Sequence, residues 1–207
     1  MIEGSMRHKD STGGEGLLGP GSIQWMTAGK GIVHSEMPEQ IEGRMQGFQL
    51  WVNLPAKDKM CPPRYQDIDP ADVPETTTDT GATLRVLAGT ANGVTGPING
   101  VSVDPLYIDV KLDAGGTFTQ AVETGHTCFV YAFEGAVKVQ GTNIDTNQLG
   151  LLTDGTEVTL SSEQGGRVIV VAGKPIGEPI ARYGPFVMNT KEEISQAIND
   201  FQSGNFL

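Results

Sequence analysis

Three histidines and two cysteines are the scarce reactive side chains of this 207-residue sequence. His34 stands two residues from a carboxylate, in His34-Ser35-Glu36. On a strand, residues i and i+2 project from one face, so an imidazole and a carboxylate at this spacing can meet one metal ion. Two ligands do not make a metal site, and a non-haem Fe(II) centre wants two histidines and one carboxylate with open positions. Read alone, the His-x-Glu step is more simply a polar strand end than a metal site. Gly29 and Gly31, just before it, change that balance, because two glycines let the backbone turn sharply and approach a ligand or a neighbour. His8, between Arg7 and Lys9, reads as part of a solvated turn. His126, before Thr127-Cys128, begins a later strand without a carboxylate or a second imidazole close in sequence, which is the pattern of a structural histidine. Cys61 and Cys128 lack a Cys-x-x-Cys partner, so neither reads as a nucleophile. The glycine-rich pieces at 13–16 and 89–93 lack a following Lys-Ser/Thr and read as turns, not phosphate loops. No Gly-x-Ser-x-Gly elbow occurs.

These side chains must be carried by strands, because most periodic segments alternate with period two. Phe48, Leu50, Val52 and Leu54 share one face of a predicted strand, and Leu106, Ile108, Val110 and Leu112 share one face of another. Residues 137–140, 157–160 and 167–171 repeat the pattern. Turn clusters lie between them at 113–116, 134–135, 140–143 and 164–166. Short strands at this spacing predict an all-β sandwich or barrel. The tail differs: Thr190 with Glu193 reads as a capping box, Ile194, Ala197, Ile198 and Phe201 follow at helical spacing, and Gly204 supplies a stop. The stretch from Pro55 to Gly81 has little periodicity and reads as a connector.

Composition sets the outer bounds. The chain has 28 glycines and 12 prolines, which suits many short elements better than a helical bundle. Its net charge of −11 disfavours phosphate backbones and anionic membranes as direct partners. No apolar run has the length of a membrane span, and the start has no stretch of signal-peptide length. The expectation is a soluble, cytoplasmic protein.

The run from Gly19 to Pro38, containing Gln24-Trp25-Met26-Thr27-Ala28-Gly29 and Gly31-Ile32-Val33-His34-Ser35-Glu36, resembles the signature of the pirin family. The runs Gly47 to Pro55 and Gly177 to Thr190 resemble the same family. The resemblance extends nearly end to end and implies a cupin-superfamily fold of two jelly-roll-like β-barrels with a C-terminal helix. Its expected boundaries are a partial N-terminal barrel at 1–55, a connector at 56–81, a second barrel at 82–189, and a helix and tail at 190–207. It further implies a metal, usually Fe(II) or another divalent transition ion, in the N-terminal barrel on three histidines and one glutamate. Two of those ligands fall on His34 and Glu36. The other two belong to a His-Pro-His segment that lies, in the family, upstream of the position matching Met1. No His-x-His occurs in this sequence, so it reads as shortened relative to the family, with half of the ligand set absent. Weak metal binding, exposed apolar strand faces and an unpaired sheet edge are the expected consequences.

The resemblance implies two functions. In the first, the protein is a quercetin-type 2,3-dioxygenase acting on a flavonol with O₂. His34 and Glu36 are then metal ligands, Glu36 doubles as the catalytic acceptor of the substrate hydroxyl proton, and the missing histidines impair turnover. In the second, the protein is a non-catalytic, iron-dependent regulator whose acidic surface meets a protein partner rather than DNA.

Overall fold

The structure, a computed structural model, describes residues 1–39 and 42–205. The chain divides into two compact units, one formed by residues 1–70 with 176–207 and the other by 71–175.

The first unit begins with β1 (Met6–Asp10), β2 (Glu15–Leu18), β3 (Ile23–Thr27), β4 (His34–Pro38) and β5 (Arg64–Ile68). β1 is the middle strand of a three-stranded antiparallel sheet, flanked by β2 and β4, while β3 and β5 form a separate antiparallel ribbon. The β1–β2 hairpin closes through Asp10, whose Oδ1 accepts from Thr12 N at 2.6 Å, Thr12 Oγ1 at 2.5 Å and Gly14 N at 3.1 Å. This is an Asx-type turn. The loop before β4 uses its glycines to approach a neighbour: Lys30 N donates to Cys61 O at 2.8 Å. Gly29 sits at φ +56°, and a Cβ there would overlap that same carbonyl.

Two sequence expectations change here. Residues 48–54, predicted as a strand, form none, because no described strand lies alongside to complete a ladder. Conversely β5 arises inside the stretch read as a connector, where antiparallel register from Ile23↔Ile68 to Thr27↔Arg64 supplies the partner that its sequence pattern did not announce.

The second unit holds β6 (Glu75–Thr77), β7 (Ala82–Ala88), β8 (Thr90–Ala91), β9 (Val94–Thr95), β10 (Leu106–Leu112), β11 (Thr117–Ala121), β12 (Thr127–Gly135), β13 (Val137–Val139), β14 (Thr142–Ile144), β15 (Leu149–Leu151), β16 (Glu157–Ser161) and β17 (Gly166–Gly173). Six strands in the order β15-β12-β17-β10-β7-β6 and four in the order β11-β16-β13-β14 make its two main sheets. Alternation decides which side chains they bury: Leu84, Val86, Ile108, Val110, Val130, Val168 and Val170 from the larger sheet share one core with Phe118, Val137, Val139, Val158 and Leu160 from the smaller. A sandwich of this kind, two sheets closed over one apolar interior, is the jelly-roll solution. The β8–β9 hairpin turns at Asn92-Gly93, both at positive φ as a type I′ turn requires. Arg167 on β17 grips the buried Asp109 on β10 through two hydrogen bonds, Nε to Oδ1 at 2.8 Å and Nη2 to Oδ2 at 2.6 Å.

The chain then returns to the first unit as the hairpin β18 (Ala181–Tyr183) with β19 (Phe186–Met188), followed by α1 (Lys191–Ser203). The capping box is present in both directions, and Gly204 ends the helix at φ +77°. The last two residues of the expected tail lie outside the described residues. This returning segment is latched to the N-terminal part of its unit by polar contacts. Ala56 N donates to Glu178 Oε2 at 2.7 Å, and the buried Lys59 donates to Asn53 Oδ1 at 2.7 Å and to Val187 O at 3.3 Å. Burial pulls the Lys59 pKa down, against the pull of Glu178 and Glu193.

The two units differ in their interiors. Among the described residues of the first, only Leu18 and Ile194 are buried hydrophobic side chains, whereas His8, Ser22 and Lys59 are buried polar ones. Leu17, Val33, Met37, Met45, Trp51 and Met60 of the same unit are exposed. No helix among the described residues is long and apolar enough to cross a membrane.

Candidate functional site

Register brings the chemically capable side chains of the first unit together. In the β1–β4 pair, His8 is opposite Glu36 and Asp10 is opposite His34. Because alternate residues share a face, His8, Asp10, His34 and Glu36 all project from one side of this sheet. On β2, Gly16 is the partner of His8. A Cβ at Gly16 would overlap the His8 ring, coming within 3.1 Å of Cδ2 and of Cε1 and closer still to Nε2. Gly14 leaves the corresponding space for the Asp10 carboxylate. The glycines at 14 and 16, read as ordinary turn residues, thus make room for the two polar side chains of β1.

The second wall is the β3–β5 ribbon. Tyr65 of β5 stacks on the His8 ring with centroids 5.9 Å apart and 22° between planes. Asp67, two residues on and therefore on the same face, brings Oδ2 to 3.7 Å from His8 Nε2 and accepts a 2.9 Å hydrogen bond from Gln24 Nε2. Burial, then the negative charges of Asp10, Asp67 and Glu36, push the Tyr65 phenol up to about 12. It therefore stays protonated, as a hydroxyl able to donate. A hydrogen bond from Thr12, aided by backbone donors, holds the Asp10 carboxyl below its usual range.

His34 and Glu36 occupy the more open end of this interior. Nδ1 of His34 lies 3.9 Å from Oε1 of Glu36, their side chains are 29% and 28% exposed, and Gln49 Nε2 donates to Glu36 Oε2 at 3.2 Å. Neither turns wholly to solvent. His8 does the opposite of what its charged neighbours suggest: it is 3% exposed, in a strand and not in a turn. Alternation explains the correction, since Arg7 and Lys9 take the outer face, where Arg7 pairs with Glu15 and Glu39, and leave His8 facing in. Tyr65 and Asp67 were hidden because they lie in the stretch without periodicity. The signal available for His8 was its own His-x-Asp step, the mirror of His34-x-Glu36, followed by Gly14-x-Gly16.

A resident metal is the natural test of this arrangement. Among the described residues, no group of three or more histidine, cysteine, aspartate or glutamate side chains is placed to hold an ion. His34 and Glu36 offer two donors, and Asp10 and His8 across the ladder do not complete the set. The described residues therefore do not fit a whole metal centre.

The second unit has a cavity of about 670 Å³ lined by His126, Cys128, Gln140, Ile144, Leu151 and Glu157, among others. His126 stands just before β12 and belongs to no group of three or more metal-binding side chains among the described residues. Burial pushes the Cys128 thiol up to about 11, which leaves it protonated and unreactive near neutrality.

Two β units, one closed over an aliphatic core and the other lined with polar side chains, define a two-unit cupin protein. The sequence comparisons place it more narrowly. The family model for pirin matches residues 1–52, and that for the pirin C-terminal cupin domain matches residues 107–207. A pirin-like protein of Caulobacter vibrioides is 50% identical over 207 residues, which is all of this chain and 75% of that protein. Human pirin is 40% identical over 206 residues, covering 97% of this chain and 70% of its own length. The crystal structure of a quercetin 2,3-dioxygenase from Acinetobacter baumannii superposes with a TM-score of 0.88 at 37% identity, over 99% of this chain and 73% of that one. The chain belongs to the pirin family.

Proposed function

We propose that this protein is a pirin of the quercetin 2,3-dioxygenase type, whose polar interior in the first unit receives a flavonol, with O₂ as co-substrate. His34 and Glu36 are the two residues of that interior that would contribute donors to a divalent metal, iron by family resemblance, and by themselves they fall short of a whole set. The observation that carries the reading is the register that sets His34 and Glu36 on one face of β4, opposite Asp10 and His8, in the part of the chain matched by the pirin model. Kinship with a solved quercetin 2,3-dioxygenase at 37% identity supports the substrate class.

In this reading Glu36 accepts the proton of the flavonol hydroxyl. Its Oε2 is held by Gln49, and Oε1 faces His34, so the carboxylate is oriented before substrate arrives. Asp10 within the site and the half-exposed Asp67 at its edge make the surroundings anionic, which favours neutral, hydroxyl-bearing ligands over carboxylates and phosphates. Since the described residues supply only two donors for an ion, metal affinity and turnover are expected to fall well below those of the Acinetobacter enzyme.

The experiment is incubation of the purified protein with quercetin, ferrous iron and air, following loss of the flavonol absorbance beside the Acinetobacter enzyme. Slow but measurable turnover, lowered about 100-fold by Glu36→Gln, is the expected result. Turnover unchanged in both His34→Ala and Glu36→Gln overturns the assignment.

A further inference from the structure

The interior of the first unit contains polar atoms that no hydrogen bond of the fold uses, although Asp67 Oδ2 lies 3.7 Å from His8 Nε2. Both ring nitrogens of His8, the Tyr65 hydroxyl and Oδ2 of Asp10 are buried without a hydrogen-bond partner. Folded proteins leave few buried polar atoms in that condition, and those left have a reason. Here they are gathered: His8 and Asp10 share the inward face of β1, Tyr65 stacks on His8, and Tyr65 feels the charges of Asp10, Asp67 and Glu36 together. Space has also been kept for them, since Gly16 and Gly14 stand where any larger residue would collide with His8 and Asp10.

We propose that Tyr65 is a ligand-binding residue of this site, donating its hydroxyl to a carbonyl oxygen of the bound molecule, and that His8 is the positioning residue that holds the Tyr65 ring in place. The proposal deepens the flavonol reading and rests on it for the location of the ligand. Three carboxylates, Asp10, Glu36 and Asp67, accept hydrogen bonds when ionised and cannot donate them. Arg7 and Lys9 alternate to the outer face of β1, and Arg64 alternates away from Tyr65 on β5, so these cations do not offset the carboxylates from the same faces. A ligand entering beside His34 and Glu36 therefore finds acceptors for its hydroxyl groups and one neutral hydroxyl, that of Tyr65, suited to its carbonyl. The chemistry that satisfies both is a neutral molecule with a hydroxyl next to a ketone. A flavonol carries that pair on a large skeleton, and maltol carries it on a single 4-pyranone ring.

The test compares wild type, Tyr65→Phe, His8→Gln and His8→Ala by thermal unfolding without ligand, and by titration with maltol and with quercetin followed by tryptophan fluorescence. The expected result is a Tyr65→Phe protein at least as heat-stable as wild type that binds maltol about tenfold more weakly, the value of one hydrogen bond. His8→Ala weakens binding to a similar extent, and His8→Gln, which keeps a planar group beneath the ring, recovers part of the loss. A Tyr65→Phe protein that melts several degrees lower shows the hydroxyl to be structurally engaged and overturns the proposal. Undiminished maltol binding in that variant, or a wild type that binds neither maltol nor quercetin, also overturns it. Maltol binding that needs Tyr65 while quercetin does not bind upholds the Tyr65 assignment and removes the flavonol reading instead.

Discussion

Replacing Gly16 with alanine probes the packing on which the site depends. The added Cβ would lie 3.1 Å from two ring carbons of His8 and overlap Nε2, so the imidazole must retreat by roughly 1 Å to restore ordinary contact. It has nowhere to go, being 3% exposed and stacked under Tyr65. Overpacking of this kind costs about 1–3 kcal/mol. Alanine returns about 0.5–1 kcal/mol by removing a strand glycine, leaving a net loss of roughly 1–2 kcal/mol. In a His8→Ala background the collision disappears and Gly16→Ala becomes neutral or stabilising, so the two sites should couple by about 2 kcal/mol in a double-mutant cycle. Urea unfolding followed by tryptophan fluorescence reads the right part of the molecule, because both tryptophans, Trp25 and Trp51, belong to the first unit. With a slope near 2 kcal/mol/M, the single variant should unfold at a concentration about 0.5–1 M lower. A Gly16→Ala effect of the same size with and without His8 would refute the reasoning.

Three further outcomes follow from other parts of the fold. Arg167→Ala strands the buried Asp109 carboxylate and should destabilise the second unit by about 3 kcal/mol, whereas Arg167→Met with Asp109→Leu should cost far less; calorimetry of the three proteins decides. Burial, then Asp109, pushes the Tyr107 phenol up to about 12. The folded state thus holds this proton more tightly, and its contribution, full below pH 10, is lost as pH rises through 12. Tyr107→Phe should flatten that part of the alkaline stability curve, measured by circular dichroism between pH 9 and 12. Thr190→Ala removes the acceptor for Glu193 N at 3.2 Å and should cost about 1 kcal/mol, seen as faster amide exchange in the first turn of α1.

Elements announced by the pattern of their own neighbouring residues were legible from the sequence. The capping box of α1 is a local exchange of hydrogen bonds between Thr190 and Glu193, and it stands where the residue types put it. β10 and β17 alternate because their side chains see one aliphatic core, so Ile108, Val110, Val168 and Val170 are all fully buried. The placement of His34 and Glu36 on one face needs only the pleat of a strand. Residues 48–54 alternate as well, yet form no strand, since a ladder needs a neighbour and periodicity cannot supply one.

The rest of the site is decided by long-range register. The His8-x-Asp10 step says that these two side chains share a face, but not that the face is the inner one; the pairing with Glu36, 28 positions away, settles it. Tyr65 and Asp67 enter because β5 pairs with β3 across about 40 residues of chain. The sequence by itself determined a two-part β protein of the pirin kind with an imidazole–carboxylate pair on one strand. Only the tertiary structure assembled a polar interior around that pair, because burying unpaired polar atoms is a property of what strands face and not of what they contain.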